Sequence, residues 1–246
     1  MSEQVISSFN RAASQYLKYA HIQVKAAAWL SAFIPENTQG DVLELGAGPG
    51  LFTEHLLKHK AHFTITDASP AMVTLGKSRY PNLNWKICDA RLPLSQTFNI
   101  IFSCSMLQWI DDPFSLLINL SRFLKPNGKL ICSLFIEGTL SEWNSISHIP
   151  GPITWKSAKQ WKELLLTSGF EITKSQIKSE KYFLPSALDC LKSLHATGAA
   201  PKRLHSPAQL RSLIKSYDKR YRNSRGVPAT WVCYQFEAKI RSKHST

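Results

Sequence analysis

The sequence predicts an α/β fold in which helices cover a mostly parallel sheet. Strand-like and helix-like patterns alternate along residues 42–136, and such alternation places helices across the faces of a parallel sheet. A strand-like segment, 41–45, is followed by three glycines spaced two apart, Gly46, Gly48 and Gly50, and then by a helix-like segment. A strand, a glycine turn and a helix N-terminus together form a nucleotide-binding corner, so the pattern predicts a ligand site as well.

The elements follow in order from an N-terminal cap, 1–35, where apolar residues at helical spacing predict two helices. A single domain then follows, with its core at 41–183 and 227–240 and a helical insertion at 184–226. Seven strands are predicted, at 42–45, 62–66, 83–87, 98–104, 128–136, 171–183 and 227–240. Helices are predicted at 51–59, 70–79, 113–124 and 157–170, with 186–199 and 206–222 in the insertion.

Composition indicates an ordinary globular protein of 246 residues, with 43% apolar and 19% charged residues. Five cysteines are scattered without a C-x-x-C pair, which predicts reduced thiols rather than a disulfide framework. No stretch is long and apolar enough to span a membrane, and the N-terminus lacks the pattern of a signal peptide. We therefore expect a cytoplasmic protein without a membrane partner.

The net charge of +13 is unevenly distributed along the chain. Residues 1–149 carry 12 Lys or Arg against 11 Asp or Glu, whereas residues 150–246 carry 18 against 6. Helical spacing places Lys215, Lys219 and Arg222 on one face of a predicted helix. Nucleic acid, an anionic membrane and an acidic protein are all candidate partners for such a face, and a merely solvated surface is the alternative.

Two acids follow predicted strands where a bound nucleotide would lie. Asp67 ends the second strand and can accept hydrogen bonds from both hydroxyls of a ribose. Asp89 follows the third strand. The alternative role for Asp67 is to cap the helix that begins at Ser69 and Pro70.

The order E-x-G-x-G-x-G at 44–50 differs from the dinucleotide pattern, because Leu51 stands where a third glycine would. It resembles the first motif of class I S-adenosylmethionine-dependent methyltransferases. The resemblance implies a Rossmann-like seven-stranded sheet, S-adenosylmethionine as cofactor, and Asp89 as the acid that holds the adenine amino group. The cofactor-binding residues that it implies are Gln23, Glu44, Gly46, Gly48, Gly50, Asp67, Ala68, Met72, Asp89, Ala90 and Ser105.

Residues 102–109 follow the fourth strand, where this superfamily builds its methyl-transfer pocket. They contain no D/N-P-P-Y signature of amino-group methylation, and neither an acid nor a histidine to act as a general base. This favours a substrate that is already nucleophilic at neutral pH, such as a carboxylate. Displacement at the methyl group then requires chiefly proximity and desolvation from the protein.

Other candidate chemistry is weaker. His55, His59 and His62 have helical spacing, but no carboxylate or thiol completes a metal site, so we expect no metal. Cys104 has no identifiable histidine partner and is expected to be a small apolar filler.

A closer resemblance, nearly end to end, is to the malonyl-[acyl-carrier protein] O-methyltransferase family. Its motifs are F-x-R-A-A-x-x-Y at 9–16 with Gln23, L-Q-W at 107–109, F-I-E-G-T-L-S-E at 135–142, L-H-A-T-G-A at 194–199 and V-P-A-T at 227–230. The resemblance implies methylation of the free carboxylate of a malonyl thioester at the start of pimelate assembly for biotin. It also implies catalytic roles for Tyr16, Gln108 and Trp109, with Tyr16 hydrogen-bonded to the substrate carboxylate.

The partner implied by this resemblance is an acidic acyl-carrier protein, and the helical insertion is then a lid or substrate module. The residues expected to bind substrate or carrier are Thr197, Lys215, Lys219, Arg222 and Arg225, and Lys202, Arg203, Arg211 and Arg220 add to the basic surface. The segment 152–155 lacks the basic residue that the family usually carries there. A quinone-ring C-methyltransferase, which shares the N-terminal motif, and a nucleic-acid-binding protein are the alternatives; nucleic acid is the less favoured partner.

Overall fold

The computed structural model describes residues 2–147, 153–199 and 206–242. The helices found there are α1 (Glu3–Tyr19), α2 (His21–Ser31), α3 (Thr53–Leu56), α4 (Pro70–Arg79), α5 (Pro113–Arg122), α6 (Ser141–Asn144), α7 (Ala158–Thr167), α8 (Ala187–Ala196) and α9 (Pro207–Tyr221). The strands are β1 (Asp41–Leu45), β2 (His62–Asp67), β3 (Asn84–Ile87), β4 (Phe98–Cys104), β5 (Leu124–Phe135), β6 (Phe170–Leu184) and β7 (Val227–Ile240). A 3-10 turn spans Leu107–Trp109.

The seven strands form one sheet in the order β3-β2-β1-β4-β5-β7-β6. The pairs among β1 to β5 are parallel, and β7 runs antiparallel to both β5 and β6. The prediction of a Rossmann-like, mostly parallel seven-stranded sheet is therefore confirmed. The strand order reverses between β1 and β4, so the loops that leave these two strands diverge and open a crevice at the carboxyl edge of the sheet.

Strand β1 lies at the centre of the sheet and is buried on both faces. Because successive side chains of a strand point to opposite faces, Val42 and Leu43 belong to different parts of the core. Val42 packs in a cluster with Leu30 of α2, whereas Leu43 packs in a cluster with Leu117 of α5 and Leu165 of α7. Burial on both faces explains why Val42, Leu43 and Leu45 of this strand are all apolar.

Two predicted helices end differently in the structure. The predicted helix 51–59 is reduced to the single turn of α3, because the His55 and His59 amides bond three residues back, to the Phe52 and Leu56 carbonyls. This tight winding returns the chain quickly to β2. The predicted helix 206–222 ends at Tyr221, and Arg222 has an extended backbone.

The predicted insertion contains the two helices α8 and α9, and they pack on a helix that the sequence pattern did not predict, α6. The rings of Trp143 and Tyr217 are 4.5 Å apart, and the Tyr217 hydroxyl donates to the Pro228 carbonyl at the start of β7. Leu184, placed by prediction in the insertion, still belongs to β6. The division into cap, core and insertion, and the role of the insertion as a lid, stay predictions. Lys202, Arg203 and residues 148–152 lie outside the described residues.

The segment after β5 is fastened to β7 by buried polar side chains. Glu142 is 7% exposed, and its carboxylate accepts hydrogen bonds from the backbone amide and the hydroxyl of Thr230. The Thr139 hydroxyl donates to the Val232 carbonyl and accepts from the Val232 amide, both at 3.1 Å. These bonds join two segments that lie about ninety residues apart in the chain. None of the helices in the described residues is long and apolar enough to cross a membrane.

We predict that Glu142→Ala lowers the free energy of unfolding by about 1–3 kcal/mol, because the Thr230 amide and hydroxyl lose their buried acceptor. Urea unfolding followed by circular dichroism measures this change. Glu163→Ala is the matched control, since Glu163 is exposed on α7, and it should change stability by less than about 0.5 kcal/mol. Equal stability of the two variants would show that the Glu142 bonds do not fasten the segment.

Candidate active site

The glycine turn after β1 leaves open space for a ligand. Gly46 and Gly48 have φ of 66° and 56°, the left-handed region that favours glycine. A side chain at Gly46 would collide with Met106, whereas a Cβ at Gly48 would meet no atom within 4 Å. Gly46 is therefore required by packing inside the protein, and Gly48 stands beside empty space.

That space is a cavity of about 670 Å³ at the carboxyl edge of the sheet, called here the first cavity. It lies between the glycine turn, the end of β2, the end of β4 and the N-terminal helices. Its lining residues include Ile6, Phe9, Tyr16, Gln23, Glu44, Gly46, Ala47, Gly48, Pro49, Leu51, Asp67, Ala68, Ser69, Met72, Cys104, Ser105, Met106 and Trp109.

Asp67 is held in place by the backbone around it. Its two oxygens accept hydrogen bonds from the Gly48 and Ser69 amides, both at 2.8 Å. Burial raises the pKa of the Asp67 carboxyl above its ordinary value, and these two amide bonds act in the opposite direction. Asp67 does not cap α4; that role belongs to Ser69, whose hydroxyl accepts from the Met72 amide. Each Asp67 oxygen can accept a further hydrogen bond from a ligand hydroxyl.

Glu44 is a fully buried acid at the end of β1. Its Oε2 accepts a 2.7 Å hydrogen bond from the Thr53 hydroxyl, and its Oε1 has no partner in the described part of the chain. Burial raises the pKa of Glu44 to about 8, the Thr53 bond lowers it, and the neighbouring Asp67 raises it further. An unpartnered buried oxygen is costly, so Glu44 is suited to accept a hydrogen bond from a bound ligand.

A second cavity of about 460 Å³ adjoins the first. Its lining residues are Phe9, Tyr16, Gln23, Ser105, Gln108, Trp109, Phe135, Leu140, Ile153, Trp155, Leu194, Ala199 and Trp231. Five of these, Phe9, Tyr16, Gln23, Ser105 and Trp109, line both cavities. The walls of the second cavity are therefore mainly aromatic and apolar, and it communicates with the first.

Polar atoms without partners lie where the two cavities meet. The Gln23 and Gln108 side-chain oxygens are buried without a hydrogen-bond partner among the described residues. The Gln108 amide nitrogen donates to the Ser105 carbonyl at 2.8 Å, which turns its oxygen away from that bond. Ser105 itself has φ of 59°, an uncommon conformation for a residue with a side chain. Unpaired acceptors and a strained residue at one place are typical of a functional site.

Tyr16 separates the two cavities and can act as a hydrogen-bond donor. Its hydroxyl has no partner within the described ranges of the chain. Burial raises the pKa of Tyr16 far above its ordinary value, and the nearby Asp67 and Cys104 raise it further. The hydroxyl therefore keeps its proton at neutral pH, and it can donate to an anion in the second cavity.

Contacts with α4 on one side and with the segment after α8 on the other hold helix α1 over the site. The Asn10 side-chain oxygen accepts hydrogen bonds from the Ser69 hydroxyl at 2.6 Å and from the Ala71 amide at 3.1 Å. On the opposite side Gly198 approaches the backbone of Phe9 so closely that an added Cβ would come within 3.2 Å of it. Sequence reasoning missed Asn10 as a site residue, although it lies inside the F-x-R-A-A-x-x-Y motif.

A family model described as a methyltransferase domain matches residues 43–132. Malonyl-[acyl-carrier protein] O-methyltransferase of Hahella chejuensis is 31% identical over 93% of this chain and 87% of its own length. The chain belongs to the malonyl-[acyl-carrier protein] O-methyltransferase family. A relative of the same name from Paenibacillus sp. is 30% identical over 91% of this chain and 93% of its own. The solved DhpI–SAM–HEP complex shares the fold, with 16% identity and a TM-score of 0.58 over 96% of this chain and 99% of that one.

Membership of this family makes the chain a methyltransferase and confirms the recognition made from its motifs. Most of the residues expected to bind the cofactor do lie together around the first cavity: Gln23, Glu44, Gly46, Gly48, Asp67, Ala68, Met72 and Ser105. The residues expected to be catalytic, Tyr16, Gln108 and Trp109, line the second cavity. Their individual roles stay predictions.

Three expected cofactor residues are not among those that line the first cavity. Gly50 lies behind the turn, next to the ring of Tyr80. Ala90 is buried in the main core. The Asp89 carboxylate pairs with Arg91 at 2.6 Å, and this bond lowers its pKa despite partial burial. Asp89 would have to leave or share Arg91 in order to bind an adenine amino group.

The residues expected to bind substrate or carrier differ in their exposure and in their partners. Thr197 is 3% exposed and its hydroxyl donates to the carbonyls of α8, at Ser193 and Leu194, so it caps that helix. Lys215 and Lys219 are exposed on α9.

The two arginines of this group have partners inside the protein. Contrary to the prediction of one helical face with Lys215 and Lys219, Arg222 lies beyond the helix end. It donates to the Pro185 carbonyl and pairs with Asp218 at 3.2 Å. The Arg225 guanidinium stacks 3.8 Å above the Phe183 ring.

We predict that Glu44→Gln changes how the stability of the ligand-free protein depends on pH. Between the ordinary Glu pKa of 4.5 and the folded value of about 8, the folded wild type retains a proton that the unfolded chain releases. Its stability therefore falls as pH rises, by up to about 1.4 kcal/mol per pH unit. Because glutamine does not titrate, the stability of the variant relative to wild type should increase steadily with pH across this range.

Urea unfolding at about one-unit steps from pH 5 to pH 8 measures this difference. The matched control is Glu163→Gln, whose exposed side chain on α7 should give a constant difference from wild type. Parallel stability curves for Glu44→Gln and wild type would contradict the raised pKa of Glu44.

Proposed function

We propose that this protein transfers a methyl group from S-adenosylmethionine to the free carboxylate of a malonyl thioester carried by an acyl-carrier protein. The observation that carries the proposal is the pair of joined cavities. The first has acidic hydrogen-bond acceptors, Glu44 and Asp67, and the second has aromatic walls with the Tyr16 hydroxyl at their junction. The Hahella and Paenibacillus relatives are named for this reaction, which supports the substrate.

The first cavity fits S-adenosylmethionine by its shape and its acceptors. Asp67, held by two backbone amides, retains acceptor capacity for the ribose hydroxyls, and the unpartnered Glu44 oxygen is available for a further donor of the ligand. The open space beside Gly48 allows a ligand to approach the main chain. When bound, the cofactor supplies an electrophilic methyl group.

The second cavity suits a nucleophile that needs no general base. No Asp, Glu, His or Lys side chain is among the described residues that line it. A carboxylate is ionised at neutral pH and can attack directly, with its carbon–oxygen bond forming as the methyl–sulfur bond breaks. The protein's part is to orient the acid and to exclude water, and the Tyr16 hydroxyl and the surrounding indoles and phenyl rings can do both.

The same chemistry disfavours ring C-methylation, the alternative that shares the N-terminal motif. A quinone precursor must lose a proton. The Cys104 thiol, which lines the first cavity, stays protonated at neutral pH because burial raises its pKa far above the ordinary value, so it is not available as a base. The reaction that we propose would mask the malonyl carboxylate at the start of pimelate assembly for biotin. A cytoplasmic location, and the absence of membrane and nucleic-acid partners, stay predictions.

The carrier would dock on the exposed side of α9. Lys215 and Lys219 are exposed one helical turn apart, and within the described residues neither forms an ion pair. Arg222 and Arg225 contribute less, because both are engaged inside the protein. An acidic carrier helix could be steered to this face by its charge.

A direct test is mass spectrometry of malonyl-carrier incubated with the protein and S-adenosylmethionine, in which we expect the methyl ester.

Tyr16→Phe should lower kcat about tenfold or more but leave cofactor affinity unchanged, because it removes one donor to the acid. Asp67→Ala should weaken cofactor binding by about 1–3 kcal/mol in calorimetric titration. No methyl ester from wild type, or a Tyr16→Phe effect confined to cofactor affinity, would contradict the proposal.

We predict that Lys215→Glu together with Lys219→Glu raises KM for malonyl-carrier about tenfold or more at low salt and less at high salt. KM for malonyl-coenzyme A should change little, because that thioester does not need the docking face. The matched control is Lys178→Glu with Lys181→Glu, which makes the same charge change on the exposed edge strand β6. Two outcomes would contradict docking on α9. One is that both double variants raise KM for malonyl-carrier equally, and the other is that the α9 variant raises KM equally for malonyl-carrier and malonyl-coenzyme A.

A further inference from the structure

The two joined cavities contain acids but no cation. Among the described residues that line them, Glu44 and Asp67 are acidic, and none is lysine, arginine or histidine. Glu44 holds its proton more tightly than an ordinary glutamate. Under the function proposed above, an anionic substrate has to enter this site and become desolvated there.

Lys156 is a cation that lines an adjoining space, and it is not among the residues that line the two cavities. It lines a wider opening that shares Gln108, Trp109 and Ile153 with the second cavity. The acidic Asp111 lines the same opening. The aromatic Trp155, the preceding residue, is the one that faces the second cavity.

None of the described residues that line the cavities is a cation. We propose that the substrate carboxylate is instead paired with positive charge on the ligand in the first cavity, and that its binding is coupled to that charge. The coupling rests on the function proposed above. It follows from the shared lining of the two cavities at Tyr16, Gln23 and Ser105, which brings their contents close together. The acid then binds well only after a cationic ligand is in place, and by linkage each ligand raises the affinity of the other.

The coupling arises from Coulomb attraction between the substrate carboxylate and the positive charge on the ligand. Opposite charges about 4 Å apart attract strongly in a partly dry protein site, and the Tyr16 hydroxyl alone is a neutral donor that cannot replace a counter-ion. A carboxylate paired with lysine or arginine would be a weaker nucleophile, whereas the uncharged walls here leave it reactive. After methyl transfer both the ester and the demethylated cofactor are neutral at the reacting atoms. The attraction is then lost, and this favours product release.

Calorimetry with two ligands of the first cavity tests the coupling without turnover. The protein is saturated either with S-adenosylhomocysteine, which is neutral at sulfur, or with sinefungin, which has an ammonium group at the corresponding position. Malonyl-coenzyme A is then titrated into each complex at low ionic strength. We expect malonyl-coenzyme A to bind the sinefungin complex at least about tenfold more tightly than the S-adenosylhomocysteine complex.

The methyl ester of malonyl-coenzyme A is the matched control ligand, because it keeps the charges of coenzyme A and lacks only the charge of the carboxylate. It should bind the two complexes with equal affinity. Equal affinity of malonyl-coenzyme A for the two complexes, or the same preference shown by the ester, would overturn the coupling. If wild type still forms the methyl ester from malonyl-carrier in that case, the proposed function stands and only the coupling falls.

Variants of the remaining cations complete the test. Lys156→Ala, and separately Lys202→Ala with Arg203→Ala, should leave the affinity of malonyl-coenzyme A for each complex unchanged, and with it the preference for the sinefungin complex. Lys202 and Arg203 are included because they follow the lining residue Ala199 in the chain. If either variant weakens the binding of malonyl-coenzyme A equally in both complexes, and leaves the binding of its methyl ester unchanged, the protein does supply a counter-ion and the proposal is wrong.

Discussion

The hydrogen bonds of the Asp67 carboxylate hold the ligand-binding edge of the sheet together. One oxygen accepts from the Gly48 amide in the turn after β1, and the other accepts from the Ser69 amide before α4. The Ser69 hydroxyl in turn bonds to Asn10 of α1. A single connected set of bonds therefore joins β1, β2, α4 and the N-terminal cap. Removing Asp67 would release both a backbone turn and the helix that covers the site, in addition to a ligand acceptor.

Some residues of the motifs most selective for the family position the site without lining it. Glu142 and Thr139, from the F-I-E-G-T-L-S-E motif, bind Thr230 and Val232 of β7 through buried hydrogen bonds. Leu140 lies between Thr139 and Glu142 in the chain, and Trp231 lies between Thr230 and Val232. Both Leu140 and Trp231 line the second cavity. Gly198 of the L-H-A-T-G-A motif allows α8 to approach Phe9 closely. These motifs are thus better explained by the shape of the second cavity than by chemistry of their own.

The parts of the structure that sequence predicted well are those set by local pattern. The seven strands follow from short apolar runs between turns, and the glycine turn and Asp67 follow from the order of residues around β1 and β2. Contacts between distant segments were not predictable in this way. Asn10 bonds to residues about sixty positions away, and α6 packs its Trp143 against the insertion. The unpartnered Glu44 oxygen likewise depends on burial, which spacing does not reveal.

The basic character of the C-terminal part serves several purposes at once. Arg222 closes the end of α9 by bonding to Pro185 and Asp218, and Arg225 covers the ring of Phe183. Lys174 lies 4.2 Å from the centre of the Phe33 ring, and other lysines occupy the exposed edge strand β6, where charge discourages pairing with another sheet. Net charge therefore overstates the surface available to an acidic partner. The exposed lysines of α9 differ from these in having no structural task among the described residues, and for that reason a docking role can be assigned to Lys215 and Lys219 rather than to the whole basic half.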